Sequence, residues 1–327
     1  MEQEVQTFLQ VPGVWAFVLN HYVIEAEFPI ELAPGSFLNR ATDEQQKRLK
    51  EALSSIVGTS NWLRPESWYE CETIHEQNPG GGSSHQEPLP ESEWRYYVVS
   101  TPDNGLTNIN LQLASNISEV PLDLTGLCFY LNGGQGWNPG ILQNHFQIFP
   151  MLPARRINIE ALSDVTEVYG SFMGITGGVT GNTDFPEIQR AMQLYDSLRQ
   201  LPRHSEFHVL GLFAIIEMLI THNPKLEDRG DSITHQMQSK IPLLSRRFKR
   251  ALDFQSFFPN GSEKKVWTAM YGYRSAVAHG GVPDFQSADL RILKDSETSL
   301  AFLRAAVRAL LRHSLIEPQL YRDLRSC

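Results

Sequence analysis

Near residue 184 the hydrophobic rhythm of this chain changes, and that change restricts the fold more than any single motif. Upstream, apolar residues come in short runs: Val14-Trp15-Ala16-Phe17-Val18-Leu19, Val23 to Leu32, Tyr96-Tyr97-Val98-Val99, Thr107 to Leu113, Leu127 to Leu131 and Phe146-Gln147-Ile148-Phe149. Several alternate with a period of two, as in Ile109, Leu111 and Leu113, and Gly, Pro and Asn separate them. This pattern predicts short strands of a sandwich or barrel-like sheet. Ala41 to Ile56 predicts a helix, and Gln77 to Glu91, which contains Pro79-Gly80-Gly81-Gly82-Ser83-Ser84, predicts a mobile surface loop.

Downstream the period becomes helical. Ile188, Ala191, Met192, Tyr195 and Leu198 form a stripe behind Asp184, Pro186 and Glu187, a helix-start pattern. Further helices are predicted from Ser205 to Thr221, ended by Asn223-Pro224, and from Ile241 to Ala251, with Pro242 starting or interrupting it. A long one follows from Ser296 to Leu315, with Leu300, Leu303, Ala306, Val307, Leu310 and Leu311 inward. The expected fold class is therefore α+β: a β-rich domain over 1–180, then an all-α bundle over 181–327.

Charge follows the same division. Residues 1–180 hold 21 acidic and 8 basic side chains and residues 181–327 hold 16 and 20, together the net −9 of the chain. The first half should repel nucleic acid, and the second half can attract it. Cys71, Cys128 and Cys327 lack metal or disulfide spacing, and His204, His208, His222 and His235 are scattered, so no metal or other cofactor is expected. Without a leader pattern or a membrane-length apolar run, the expectation is a cytoplasmic protein with no membrane partner. The glycine clusters Asn132 to Gly136 and Gly174 to Gly181 lack phosphate-loop spacing and predict ordinary turns.

The chemistry concentrates in Met270-Tyr271-Gly272-Tyr273-Arg274-Ser275-Ala276-Val277-Ala278-His279-Gly280-Gly281. Asn260 and Glu263 predict a helix start, and the glycine pair predicts its end. Arginine supplies a permanent planar cation for phosphate oxygens, and histidine transfers protons near neutral pH. Arg246, Arg247, Lys249 and Arg250, around Phe248, form the densest basic cluster, a candidate RNA contact together with Tyr273. Lys264 and Lys265 extend it. Glu217, inside an apolar run, needs a cationic partner, and Arg274 is the expected one.

From about Asp184 onward the chain resembles a HEPN domain, and Tyr271 to Gly281 is similar to the Apea-like branch. The hallmark order of arginine, polar residue, variable residues and histidine is filled by Arg274, Ser275, Ala276 to Ala278 and His279. Ser275 stands where active members often carry Asn, Asp or His. Phe207 to Ile220 is similar to the family's apolar helix with an embedded glutamate. The resemblance implies a homodimer and metal-independent endoribonuclease action on RNA, transfer RNA being one candidate target. Arg274, His279, Ser275 and Glu217 form the implied catalytic set. It also implies an antiviral or abortive-infection setting, in which the first domain binds a phage component or another trigger. The alternative is a non-catalytic dimerisation or binding module that carries a sensor domain.

Overall fold

The computed structural model describes residues 13–57, 66–78, 81–103, 105–130, 133–147, 153–202, 204–222 and 232–326. The chain divides into two compact units, Met1–Gly170 and Ser171–Cys327.

The first unit is built on an open six-stranded antiparallel sheet, ordered β3-β4-β7-β1-β8-β9. Its strands are β1 (Val14–Phe17), β3 (Ile30–Ala33), β4 (Ser36–Arg40), β7 (Tyr97–Thr101), β8 (Leu127–Tyr130) and β9 (Gln135–Trp137). Among the described residues these strands close no barrel, and they form one sheet rather than two facing ones. Helix α1 (Asp43–Val57) and the short α2 (Glu66–Glu70) supply the other side of the core, in which Leu49, Leu53 and Tyr69 meet Phe17, Val98 and Phe129. Strand β2 (Tyr22–Glu25) pairs in parallel with β10 (Arg155–Asn158) as a separate ribbon.

Three expectations in this unit are corrected. Gln77 to Glu91 is not simply a loop: β5 (Cys71–Asn78) and β6 (Gly81–Pro88) pair as a long antiparallel hairpin, from Cys71 opposite Pro88 to Asn78 opposite Gly81. Pro79 and Gly80 lie outside the described residues. Backbone pairing needs no large side chains, so composition hid it. Thr107 to Leu113 is helical, within α3 (Leu106–Ile117). There the polar Asn108, Asn110 and Gln112 are buried beside Leu111 and Leu113, which erased the expected helical period. Gln112 is accommodated because its amide donates to Asn116 Oδ1 at 2.7 Å and its carbonyl oxygen accepts from the Leu124 N–H. Phe146 and Gln147 end α4 (Pro139–Gln147), while Leu131, Ile148 and Phe149 lie outside the described residues.

The unit boundary falls within α5 (Ile159–Thr176). Beyond it come α6 (Pro186–Ser197), α7 (Phe207–Ile220), α8 (Ile233–Ser245), α9 (Phe254–Phe257), α10 (Glu263–Ala278), α11 (Ser296–Ser314) and α12 (Pro318–Ser326). Helix α7 is apolar almost all round and is therefore central: α6, α8, α10, α11 and α12 all pack on it. Helix α8 corrects the expected segment 241–251. It starts much earlier, capped by Ser232 on the His235 N–H, and carries Pro242 in its interior. Asn223-Pro224 falls outside the described residues.

Lys240 is buried on α8 and ties helix ends together. Its ammonium donates to Ile220 O at 3.1 Å, at the close of α7, and to Leu324 O at 2.6 Å, in the last turn of α12. Both carbonyls belong to the final turns that no helical N–H can reach, so one lysine satisfies what two helices leave open. The glycine clusters form turns. Gly133 and Gly134 close the β8 to β9 connection, and Gly177 and Gly178 adopt φ values of +66° and +80° after α5.

Candidate functional site

Helix α10 begins after Ser262, two residues later than the expected Asn260 cap, and buries Val266, Trp267, Ala269, Met270 and Tyr273. Its end is set by the glycine pair. The Gly281 N–H donates to Ala276 O at 2.8 Å and the Gly280 N–H to Val277 O at 3.0 Å, with Gly280 at φ +72°. This is a Schellman closure, which an L side chain at the left-handed position strains. His279 is thereby the C-cap residue, at φ −94° and ψ 10°, and it is exposed. A positive imidazole at this place suits the negative helix end.

One turn and a half earlier, Arg274 is half-buried and turned toward α7. Its Nη2 lies 3.6 Å from Glu217 Oε1, with the two side chains 30% and 21% exposed. This is ion-pair distance without a hydrogen bond. Neither Arg274 Nε nor Glu217 Oε1, both buried, has a hydrogen-bond partner among the described residues. Burial raises the Glu217 carboxyl above its ordinary value, and the charge of Arg274 offsets part of that rise. The Tyr271 ring supports the guanidinium from the same helix, 5.6 Å from ring centroid to Cζ, and meets Phe213 of α7 edge-on at 6.3 Å. Sequence reasoning passed over Tyr271, although its three-residue spacing from Arg274 was the available signal.

Tyr273 is a correction. It is fully buried, its hydroxyl lies 2.9 Å from Ser296 Oγ and its ring packs edge-on to Phe285 at 5.1 Å. It has no open face for a base. Ser275 is half-buried, and its carbonyl accepts the His279 N–H at 3.1 Å.

The basic cluster lies on the turn that follows α8, with Arg246, Arg247, Lys249 and Arg250 exposed. Arg247 is engaged within the chain: Nε donates to Glu317 Oε1 at 3.2 Å and Nη2 to Glu317 Oε2 at 2.6 Å. Phe248 packs against the buried His313 ring at 5.4 Å. His313 places Nε2 3.2 Å from Glu317 Oε1 and Nδ1 3.2 Å from the Tyr321 hydroxyl. Burial holds His313 below its ordinary value, with Glu317 opposing that shift. This corner thus joins α8, α11 and α12 as a structural node.

Glu217 and Arg274 are therefore brought together. His279 stands apart at the helix end, five positions along, which is about 7.5 Å of rise and about 140° of rotation from Arg274. Comparison with protein-family models, with curated proteins and with solved structures returns no match. Among the described residues no helix is long and apolar enough to cross a membrane.

Proposed function

We propose that the second unit is a HEPN-like bundle acting as a metal-independent endoribonuclease. The observation that carries this reading is the Arg274 guanidinium, positioned by Glu217 without being saturated by it, on the helix whose C-cap exposes His279. In the reaction the RNA 2′-hydroxyl attacks the adjacent phosphorus and the 5′-oxygen leaves. His279 moves the proton, and Arg274 stabilises charge on the non-bridging oxygens. The products carry a 2′,3′-cyclic phosphate and a 5′-hydroxyl, and DNA, lacking the attacking hydroxyl, is inert.

A second copy of the chain completes the cleft. Supporting this, α7 leaves Phe207 and Ala214 exposed, seven residues apart and so on one face. Phe207 is 65% exposed. The same exposed face also favours the alternative, a non-catalytic dimerisation module. The first unit, in either reading, is the sensor for a phage component or other trigger, and the setting is cytoplasmic antiviral defence.

Purified protein incubated with total RNA and with transfer RNA in excess chelator separates these readings. Cyclic-phosphate ends that vanish in His279→Ala and in Arg274→Ala are expected. Undiminished cleavage in both variants removes the two residues from the mechanism, and no cleavage by dimeric wild type leaves the assembly module.

A further inference from the structure

On α1 of the first unit, Arg48 is set against two stacked rings. The Trp15 and Phe129 rings, from the paired strands β1 and β8, lie nearly parallel with centroids 4.0 Å apart, and Arg48 Cζ stands 5.6 Å and 4.9 Å from them. Arg40, Lys50, Arg274 and Arg322 also lie against aromatic rings, and each is held by an acceptor as well: Arg40 by Ser92 O and Trp94 O, Lys50 by Glu70, Arg274 by Glu217 and Arg322 by Asp184 O. Arg48 has its ring contacts but, among the described residues, no hydrogen-bond acceptor and no carboxylate, although Glu44 and Glu51 lie one turn away on either side along α1. A ring contact consumes no N–H, so the half-buried guanidinium keeps its whole fork of donors.

The sheet brings further groups to the same face. Gln135 of β9 stands opposite Phe129 and Trp137 opposite Leu127, so Trp137 is the diagonal neighbour of Phe129, ~7–8 Å away. Trp137 is 49% exposed and has no ring neighbour among the described residues. An open indole and a guanidinium with open donors thus lie within the reach of one nucleotide.

We propose that Arg48 and Trp137 form a binding site for a single nucleoside 5′-phosphate. The Arg48 fork, held in place by Trp15 and Phe129, takes the phosphate; the Trp137 indole stacks on the base, and the Gln135 amide lies at the base edge. The acidic balance of residues 1–180 repels a long polyanion, so a lone nucleotide is favoured over a strand. All of these residues belong to the first unit, so the site does not depend on the nuclease reading.

The test is isothermal titration calorimetry of the full chain with the adenine, guanine, cytosine and uracil nucleoside 5′-monophosphates. The matching nucleosides, inorganic phosphate and an oligouridylate serve as comparisons. At least one monophosphate is expected to bind, with Arg48→Gln weakening it about tenfold or more and Trp137→Ala about tenfold. Its nucleoside and inorganic phosphate should each bind more weakly, because each fills only part of the site. If Arg48→Gln loses its native circular dichroism, Trp137→Ala, a change on an exposed edge strand, decides. Absence of binding by all the monophosphates, or binding that neither variant weakens, overturns the site. Inorganic phosphate that binds as tightly as any monophosphate overturns it by leaving a bare anion contact, and an oligouridylate that binds more tightly overturns it by making a strand the ligand. RNA cleavage by wild type, present or absent, alters none of these outcomes.

Discussion

Two of the arginine–glutamate pairs described in the helical unit differ in how completely they are bonded. Arg247 and Glu317 are 53% and 32% exposed and share a two-point fork. Arg274 and Glu217 are less exposed, lie 3.6 Å apart and each retain an unpartnered buried polar atom. Burial makes unsatisfied hydrogen-bonding groups expensive, so the better-buried pair would be expected to be the better bonded. The reverse arrangement leaves the second pair short of saturation, a condition that the Arg325–Glu187 pair, also 3.6 Å apart, shares. Under the proposed function, such a guanidinium takes a phosphate oxygen without first giving up a hydrogen bond.

The largest expected effect tests this contrast directly. Arg274→Ala should lower RNA cleavage by about 10²–10³-fold, the scale for losing one charge-stabilising donor, while leaving circular dichroism unchanged. The double reversal Glu217→Arg with Arg274→Glu should fold and fail to cleave. A reversed pair with full activity would make this pair as structural as the other one.

Lys240 sharpens the comparison from the saturated side. Lys240→Met leaves the Ile220 and Leu324 carbonyls without their donor, and about 1–3 kcal/mol for each should appear as a lower denaturant midpoint. Gly280→Ala is smaller, about 1 kcal/mol of strain at the left-handed position. Its cleavage defect should exceed its stability defect, because the closure that it strains sets where His279 leaves the helix. Equal losses would reduce His279 to a helix cap.

The smallest effect is a difference in sign. Glu217 has its carboxyl raised, chiefly by burial, so the folded state binds its proton more tightly and stability falls as pH rises above the ordinary value of 4.5. Glu317 is lowered, first by the hydrogen bond from Arg247, so its contribution is present above 4.5 and is lost as pH falls through the lower folded value. Thermal midpoints across acid pH should therefore tilt in opposite directions in Glu217→Gln and Glu317→Gln relative to wild type. His208 and His313, both lowered by burial, add a loss of stability as pH drops below their ordinary 6.5. Parallel tilts in the two glutamine variants would erase the distinction between the pairs.

Legibility varied with how cleanly one face of an element was apolar. In α11 the inward Leu300, Leu303, Ala306, Val307, Leu310 and Leu311 are all buried, because polar and apolar faces are separate there. In α3 buried amides sit among buried leucines, and the helical period disappeared from the sequence. Tyr273 shows a signal overlooked rather than missing. Its spacing from Val266 and Met270 placed it on the core stripe of α10, although its chain neighbour Arg274 lies on another face.

By itself the sequence determined the helical period of the second half, the closure of α10 at Gly280-Gly281 and the need of Glu217 for a cation. These depend on residues close together in the chain, where backbone geometry alone decides which side chains share a face. Tertiary structure alone decided that Arg247 is engaged by Glu317, that Lys240 closes two helices and that Cys71–Asn78 pairs with Gly81–Pro88. Each of those depends on groups from different elements meeting, and the spacing of residues along a chain does not encode the distance between elements that pack in space.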